Sequence, residues 1–473
     1  MTAYLLYILM YSVTRTTTTL RGGSRLFLRC KSTKIESFIK INDKSYTRDP
    51  NYTNVTPSII DHVNRSLHKK ANHPVNILRD LIEKKLNSVD NSFTTYNDFS
   101  PVVSTFENFD SLGFPADHPG RSKSDTYYIN DKTLLRTHTS AHEMECYSKV
   151  NTTGKPGFLI SADVYRRDEI DKTHYPVFHQ MEGCRVWKGR SVEQIKKDLE
   201  ILQKHLDEHE MNLIIDDQSL NNKSPSENPK QEYMTDEEVS LVSQHLKRSL
   251  ELVISEVFNQ KIKSMRKENT TSQEIPNELK LRWVNAYFPW TAPSWEIEVW
   301  WNNDWLELCG CGITQQQVIL NSGFEKDSTV SWAFGLGLDR IAMLLFEIPD
   351  IRLLWSKDER FISQFKDGEI NTFKPYSKYP GSIRDVAFWL PDSTVSEEIH
   401  ENDLMEIVRD NAGPLVESVK LIDRFQNPKT GKKSLCYRIN YQSMDRNITN
   451  DEINEIQKNV ENELVEKYNV TLR

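Results

Sequence analysis

No stretch of the 473 residues approaches the roughly 20 consecutive apolar residues that cross a bilayer, so no membrane anchor is expected. Six cysteines are too few for a disulfide scaffold at this length, and reduced thiols follow as the default. With only 17 glycines the chain is no collagen, and with 37 % apolar residues it is no disordered polymer. An excess of positive charge is also missing: 60 Lys+Arg meet 68 Asp+Glu, a net charge of −8. That excludes one broad basic surface, so a nucleic-acid partner has to be met by local patches.

Acidic residues are absent from the first 35 positions, where Glu36 is the first carboxylate. The same segment holds Arg15, Arg21, Arg25, Arg29, Lys31 and Lys34, with a hydroxyl run at Thr16 to Thr19. An Arg-rich, acid-free, hydroxyl-rich start reads as a mitochondrial transit peptide, residues 1–35. A secretory signal fits less well, because no basic residue precedes the apolar run Ala3 to Tyr11. Loss of the segment takes the net charge from −8 to −14.

Several chemistries lack their motif. Gly431-Lys432 is followed by Lys433 instead of Ser or Thr, so there is no phosphate loop. Arg340 stands where a dinucleotide fold needs its third glycine after Gly335 and Gly337. Cys146 replaces the second histidine that His142-Glu143 would need in a zinc protease. His205 and His209 share a helical face but stand among solvent-facing charges, and Cys309 and Cys311 alternate as core thiols.

Periodicity supplies the framework. Val75, Leu78, Leu81, Ile82 and Leu86 stripe a helix from Pro74. Extended segments are expected at Val102 to Phe106, Thr126 to Ile129 and Gly157 to Val164. Ser191 with Gln194, and Thr235 with Glu238, have the capping-box spacing at the start of two more helices. Between these helices, 216–235 is polar and aperiodic and reads as a flexible surface insertion. From Leu281 to Leu308 abundant Trp and Tyr in alternating patterns predict a mostly antiparallel sheet. Residues 377–473 parse on their own as β-α-β-β-α-β, the ferredoxin-like split unit, a shape shared by RNA binders.

Val164-Tyr165-Arg166-Arg167-Asp168 ends one strand, and Phe178-His179-Gln180-Met181-Glu182 begins the next after a hairpin loop. Far downstream, Gly335-Leu336-Gly337-Leu338-Asp339-Arg340 joins a strand to a helix. In this order the pair resembles motifs 2 and 3 of the class II aminoacyl-tRNA synthetases. RTHTSAH, VYRRDEIDKTHYPVFHQMEG, YFPWTAPSWEIEVWW, WLELCGCG and WAFGLGLDRIAM resemble the phenylalanyl branch of that family, and KYPGSIRDVAFWLP and YRINYQSMDRNIT resemble its anticodon-binding domain. The likeness runs from about residue 60 to the end. The fold it implies is α+β: a class II antiparallel sheet core flanked by helices over 36–376, then a ferredoxin-like anticodon-binding domain over 377–473.

The resemblance implies ATP-dependent attachment of L-phenylalanine to tRNA-Phe through an adenylate, by a monomer in the mitochondrial matrix. By family position, Arg166 holds the α-phosphate and the substrate carboxylate, Arg340 the γ-phosphate, and Phe178 stacks on adenine. Thr173, His174 and Tyr175 lie on the loop over the nucleotide, and Glu307 stands near ATP and its Mg²⁺. Gln180 and Glu182 alternate on a strand, point the same way and suit an ammonium group. His138, Thr139, Ser140, Ala141 and His142 are expected on the carboxylate side. Phe288 and Trp290, sharing a strand face, are expected to grip the ring edge-to-face over a floor of Ala333 and Phe334. Lys429, Lys432, Lys433, Arg438 and Arg446 form a basic run expected to meet tRNA. A paralogue that only bound RNA would have lost Arg166, Glu307 or Arg340, and all three are present.

Overall fold

In the computed structural model the described residues are 37–217, 228–267, 276–366, 368–375, 379–391 and 399–473. The expected transit segment lies outside them. An eight-stranded sheet carries the site. Its order is Phe93–Tyr96, Gly157–Tyr165, Val177–Lys188, Thr329–Gly337, Asp304–Thr314, Thr291–Trp301, Glu278–Phe288 and Asn212–Asp217. All inner pairings are antiparallel, and each outermost strand runs parallel to its neighbour. The turn between Thr291–Trp301 and Asp304–Thr314 is Asn302-Asn303, with φ of 52° and 64°. Asparagine tolerates that left-handed backbone, which matches the twist of a two-residue hairpin.

Against one face lies the 32-residue helix Asp236–Lys267, which begins where the capping-box spacing placed it. Its start is a reciprocal box: Thr235 N–H and Oγ1 donate to Glu238, whose own N–H donates to Thr235 Oγ1. Ser191 caps Val192–Asp207 in the same way, but Gln194 sends its amide on to Asp198 instead of back to the cap. Two elements depart from the sequence reading. Val102–Ser104 is a short strand that ends at once in a helix, Thr105–Asn108, because Ser104 and Glu107 form a capping box. The polar stretch 216–235 is structured at both margins: Asp216 and Asp217 complete a strand. Gln231 Nε2 donates to the carbonyls of Ala292 and Thr314, and Met234 is buried. Residues 218–227 lie outside the described residues.

The C-terminal part has its own four-stranded sheet, ordered Val416–Gln426, Lys433–Tyr441, Ser382–Trp389 and Thr471–Leu472. The helices Glu401–Ala412 and Asn450–Tyr468 cover one face, around Val386, Phe388, Leu404, Tyr437, Ile439 and Val460. That is the ferredoxin arrangement. It is less separate than its sequence suggests, because it clasps the hairpin loop between Tyr165 and Val177. Ile170 belongs to its core, and Val419 N–H donates to the Ile170 carbonyl at 3.0 Å. Arg409 Nη2 donates to the Asp168 carbonyl at 2.7 Å, and Arg167 Nη2 to Asp403 at 3.0 Å. Glu406 takes the Tyr127 hydroxyl at 2.8 Å and Arg409 Nη1 at 2.5 Å. Buried charges persist only when satisfied in this manner.

Candidate functional site

Neighbouring residues on a strand point to opposite faces, and here that rule sorts the site from the core. Strand register sets Glu182 opposite Gly335 and Gln180 opposite Gly337, with Gly310 next to Gly335. Three glycines beside two polar side chains leave the sheet surface open, and a cleft of about 1000 Å³ lies over it. Ser140 Oγ donates to Glu182 Oε1 at 2.5 Å, and Thr139 N–H donates to Gln180 Oε1 at 3.3 Å. Glu182 Oε2 is buried with no hydrogen-bond partner among the described residues. Burial pushes the Glu182 carboxyl up to about 7. Ser140 therefore stands with the acid, on the side read as the ammonium end, and not on the carboxylate side expected for it.

The short helix Thr139–His142 turns the rest of that run inward. Ala141 is in a separate core with Val103 and Phe109. His142 stacks on Phe99 at 4.3 Å and bonds Arg136 Nη1 at 3.0 Å, so it does not line the cleft as expected. His138 does line it, and burial with the nearby Arg166 charge lowers its imidazole to about 3, leaving it neutral.

An aromatic wall closes one end. Phe288 ends its strand, but Trp290 is in the turn that follows, so the two do not share a strand face. Their rings are near-parallel, 26° apart at 6.1 Å, instead of set to grip edge-to-face. Trp290 also stacks on Phe114 at 5.3 Å, and Phe114 on His138 at 5.6 Å. Phe288 lies so close on Gly310 that a Cβ there would meet its Cζ at 2.6 Å. Ala333 is on the cleft face with Cys184 and Trp290. The Phe334 ring is on the other face, over Gly183 and 5.9 Å from Trp332, so it is core and not floor. Phe114 and His118, both lining the cleft, were missed by the sequence reading.

Arg166 donates Nε to the Thr137 carbonyl at 2.8 Å and lies 5.3 Å from the Phe178 ring centre. Next to the main cleft is a second cavity of about 540 Å³, lined by Thr173, His174, Glu307 and Arg340. Glu307 and Arg340 border both cavities. Both side chains are exposed and form no hydrogen bond or ion pair with any described residue. Tyr175 departs from expectation: its ring stacks on Trp355 and its hydroxyl bonds His62 at 2.9 Å, turned away from the nucleotide side. Among the described residues the carboxylate and imidazole cluster spaced for a metal is Glu169, Asp171 and His174, without Glu307.

Of the basic run, Lys429, Lys432 and Lys433 are exposed around the 427–432 turn. Arg438 is committed to Asp385 by two 2.8 Å bonds, and Arg446 to Glu452 at 2.9 and 2.5 Å. Both pairs are solvent-exposed, so a phosphate meeting either guanidinium would displace a weakly held carboxylate.

Comparison with known proteins agrees in both parts of the chain. Residues 60–365 match the family model "tRNA synthetases class II core domain (F)", and 377–473 match "Ferredoxin-fold anticodon binding domain". A mitochondrial phenylalanine–tRNA ligase of Saccharomyces cerevisiae is 62 % identical over 459 residues, covering 94 % of this chain and 97 % of that one. The chloroplastic/mitochondrial ligase of Arabidopsis thaliana is 41 % identical, covering 91 % and 85 %. The mitochondrial ligase of Mus musculus is 40 % identical, covering 91 % and 88 %. With a family model spanning most of the chain and relatives matched almost end to end, the chain belongs to the class II phenylalanine–tRNA ligases.

Proposed function

We propose that this cleft activates L-phenylalanine with ATP and passes it to tRNA-Phe for mitochondrial translation. The observation that carries the reading is the unpaired Glu182 Oε2 beside Gln180, at the foot of the Phe288–Trp290–Phe114 wall. A buried carboxylate without a partner is costly unless a ligand satisfies it. An amino acid does so with its ammonium, lays a phenyl ring on the wall and turns its carboxylate toward Arg166.

A carboxylate already carries the charge of a nucleophile, so no general base is required. One carboxylate oxygen attacks the α-phosphorus, the bond to the bridging oxygen breaks, and diphosphate leaves with the electron pair. Charge grows on the phosphoryl oxygens, and a guanidinium fork meets it in bidentate fashion. Arg166 serves the α-phosphate. Arg340 serves the terminal phosphate, Thr173 and His174 border the nucleotide, and Phe178 offers a stacking face. Glu307, exposed between the cavities and without an internal partner, fits as the carboxylate that holds the Mg²⁺ accompanying ATP. A tRNA hydroxyl then displaces AMP from the adenylate.

Residues 1–35 act as the transit peptide that delivers a monomer to the matrix, 36–376 form the catalytic body and 377–473 the anticodon-binding domain. Lys429, Lys432 and Lys433 are the phosphate contacts. The deciding experiment is phenylalanine-dependent pyrophosphate exchange, run against all twenty amino acids. Exchange with phenylalanine alone is the expected result; exchange led by another amino acid, or none, would overturn the reading.

A further inference from the structure

Glu143 is the first residue of the helix Glu143–Thr153, is 2 % exposed, and lines the same cleft as Glu182. Nothing in the mechanism above uses it. Its Oε2 is buried without a hydrogen-bond partner among the described residues, like Glu182 Oε2. Two carboxylates with orphaned oxygens thus share one desolvated pocket. A helix N-terminus eases an anion there but supplies no counter-cation. Two like charges so placed do not both ionise readily.

We propose that Glu143 and Glu182 together form the ammonium subsite, holding a proton between them when empty and releasing it as the amino acid binds. The inference rests on the proposed reading of the cleft as the phenylalanine site. The substrate's ammonium adds a second positive charge to that of Arg166, so the retained proton is no longer needed. In balance, the protonated pair plus zwitterionic phenylalanine gives the complex plus one free proton.

The surrounding groups leave these two acids as the source. On the Glu143 helix, burial pushes the Tyr147 phenol and Cys146 thiol up, and both stay neutral. From the strand Val177–Lys188, Cys184 is pushed up for the same reason. From the loop before the helix, His138 is lowered to about 3 and His142 well below its ordinary range, so both are neutral. Arg166, whose charge lowers Glu182, is itself lowered by burial but remains a cation. Burial and the Glu182 charge raise Glu143, while burial, opposed by Ser140, raises Glu182 to about 7. Bound ammonium lowers both acids, so phenylalanine affinity rises as pH climbs through about 7 and levels above it.

The test is calorimetric titration of the full chain with phenylalanine at pH 7, in buffers of contrasting ionisation enthalpy. Wild type is expected to release about half a proton to one proton per phenylalanine bound. Glu143→Gln removes one of the two carboxyls that hold the proton and leaves Glu182 as the single titrating acid of the pair, and is expected to lower the release at pH 7 and weaken the pH dependence of the affinity between pH 6.5 and 8. A purely structural glutamate would leave both quantities unmoved in a variant whose unfolding temperature is unchanged. Binding without proton release in wild type overturns this proposal and leaves the phenylalanine site standing, and needs no variant. Absence of phenylalanine binding at every pH overturns both.

Discussion

The carboxylate of Asp339 takes two hydrogen bonds from His179, 160 positions earlier: the main-chain N–H at 2.5 Å and ring Nδ1 at 3.0 Å. Gln180 and Arg340 are the next residues along the chain from each. One buried contact therefore fixes the ammonium-side strand against the start of the helix that presents the phosphate-side arginine. The ring is held in turn by Trp355, stacked 5.4 Å away. Asp339→Ala leaves two buried donors without an acceptor. A destabilisation of about 3 kcal/mol is expected, with a fall in pyrophosphate exchange even where the variant stays folded. Urea unfolding beside exchange kinetics checks it, and full activity in a destabilised variant would show that the contact serves only stability.

Among the described residues, Arg166 and Arg340 are the arginines lining the two cavities that form no ion pair. Replacing either by Ala should lower phenylalanine-dependent exchange by about 100-fold or more, since a developing phosphate charge loses its fork. Lysine at the same position restores the charge but not the bidentate geometry, and only partial recovery is expected. Near-normal rates in either alanine variant would mean that the charge is met elsewhere.

Glu182 also sets a stability trend. Its carboxyl is at about 7 in the fold, pushed up mainly by burial, against about 4.3 in an unfolded chain. The folded state binds that proton more tightly, so the stability it contributes is complete below pH 4 and is lost as pH rises to about 7. The loss is of the order of 3 kcal/mol. Glu182→Gln removes it. The variant should unfold at a higher temperature than wild type at pH 8, match it near pH 5, and lose phenylalanine-dependent exchange. Equal unfolding at both pH values would place the carboxylate in a better-solvated site than its burial implies.

Local signals were the legible ones. Thr235 with Glu238 and Ser191 with Gln194 mark helix starts because a cap is satisfied within four residues. Gln180 and Glu182 could be paired because strand alternation needs no knowledge of the partner strand. Glu143, read only as part of an incomplete protease motif, showed no place in the cleft since its meaning comes from Glu182, about forty positions away, across a cleft that exists only after folding. The same holds for Phe114, which becomes part of the wall only by meeting His138 and Trp290. Phe334 was misplaced for a different reason: adjacency to Ala333 in sequence means the opposite face of a sheet. Arg438 and Arg446 looked like a basic patch because their neutralising partners, Asp385 and Glu452, come from a neighbouring strand and a helix start.

The tRNA step is best isolated on the C-terminal hairpin. Deleting the whole small domain would expose Ile170 and Tyr127 and strand Arg167 without Asp403, damaging the loop that borders the nucleotide cavity. Surface substitutions avoid this. Lys429, Lys432 and Lys433 cluster around one exposed turn, distant in sequence from every cleft residue. Each phosphate contact contributes a slope of about −0.7 to −0.9 in log affinity against log salt. Changing all three to Ala should raise the KM for tRNA about 10- to 100-fold near 0.1 M salt and flatten its salt dependence by about two. Pyrophosphate exchange, which needs no tRNA, should stay at the wild-type rate. An unchanged KM would move the phosphate contacts to another face of the domain, and a parallel fall in exchange would show that the hairpin supports the catalytic body instead.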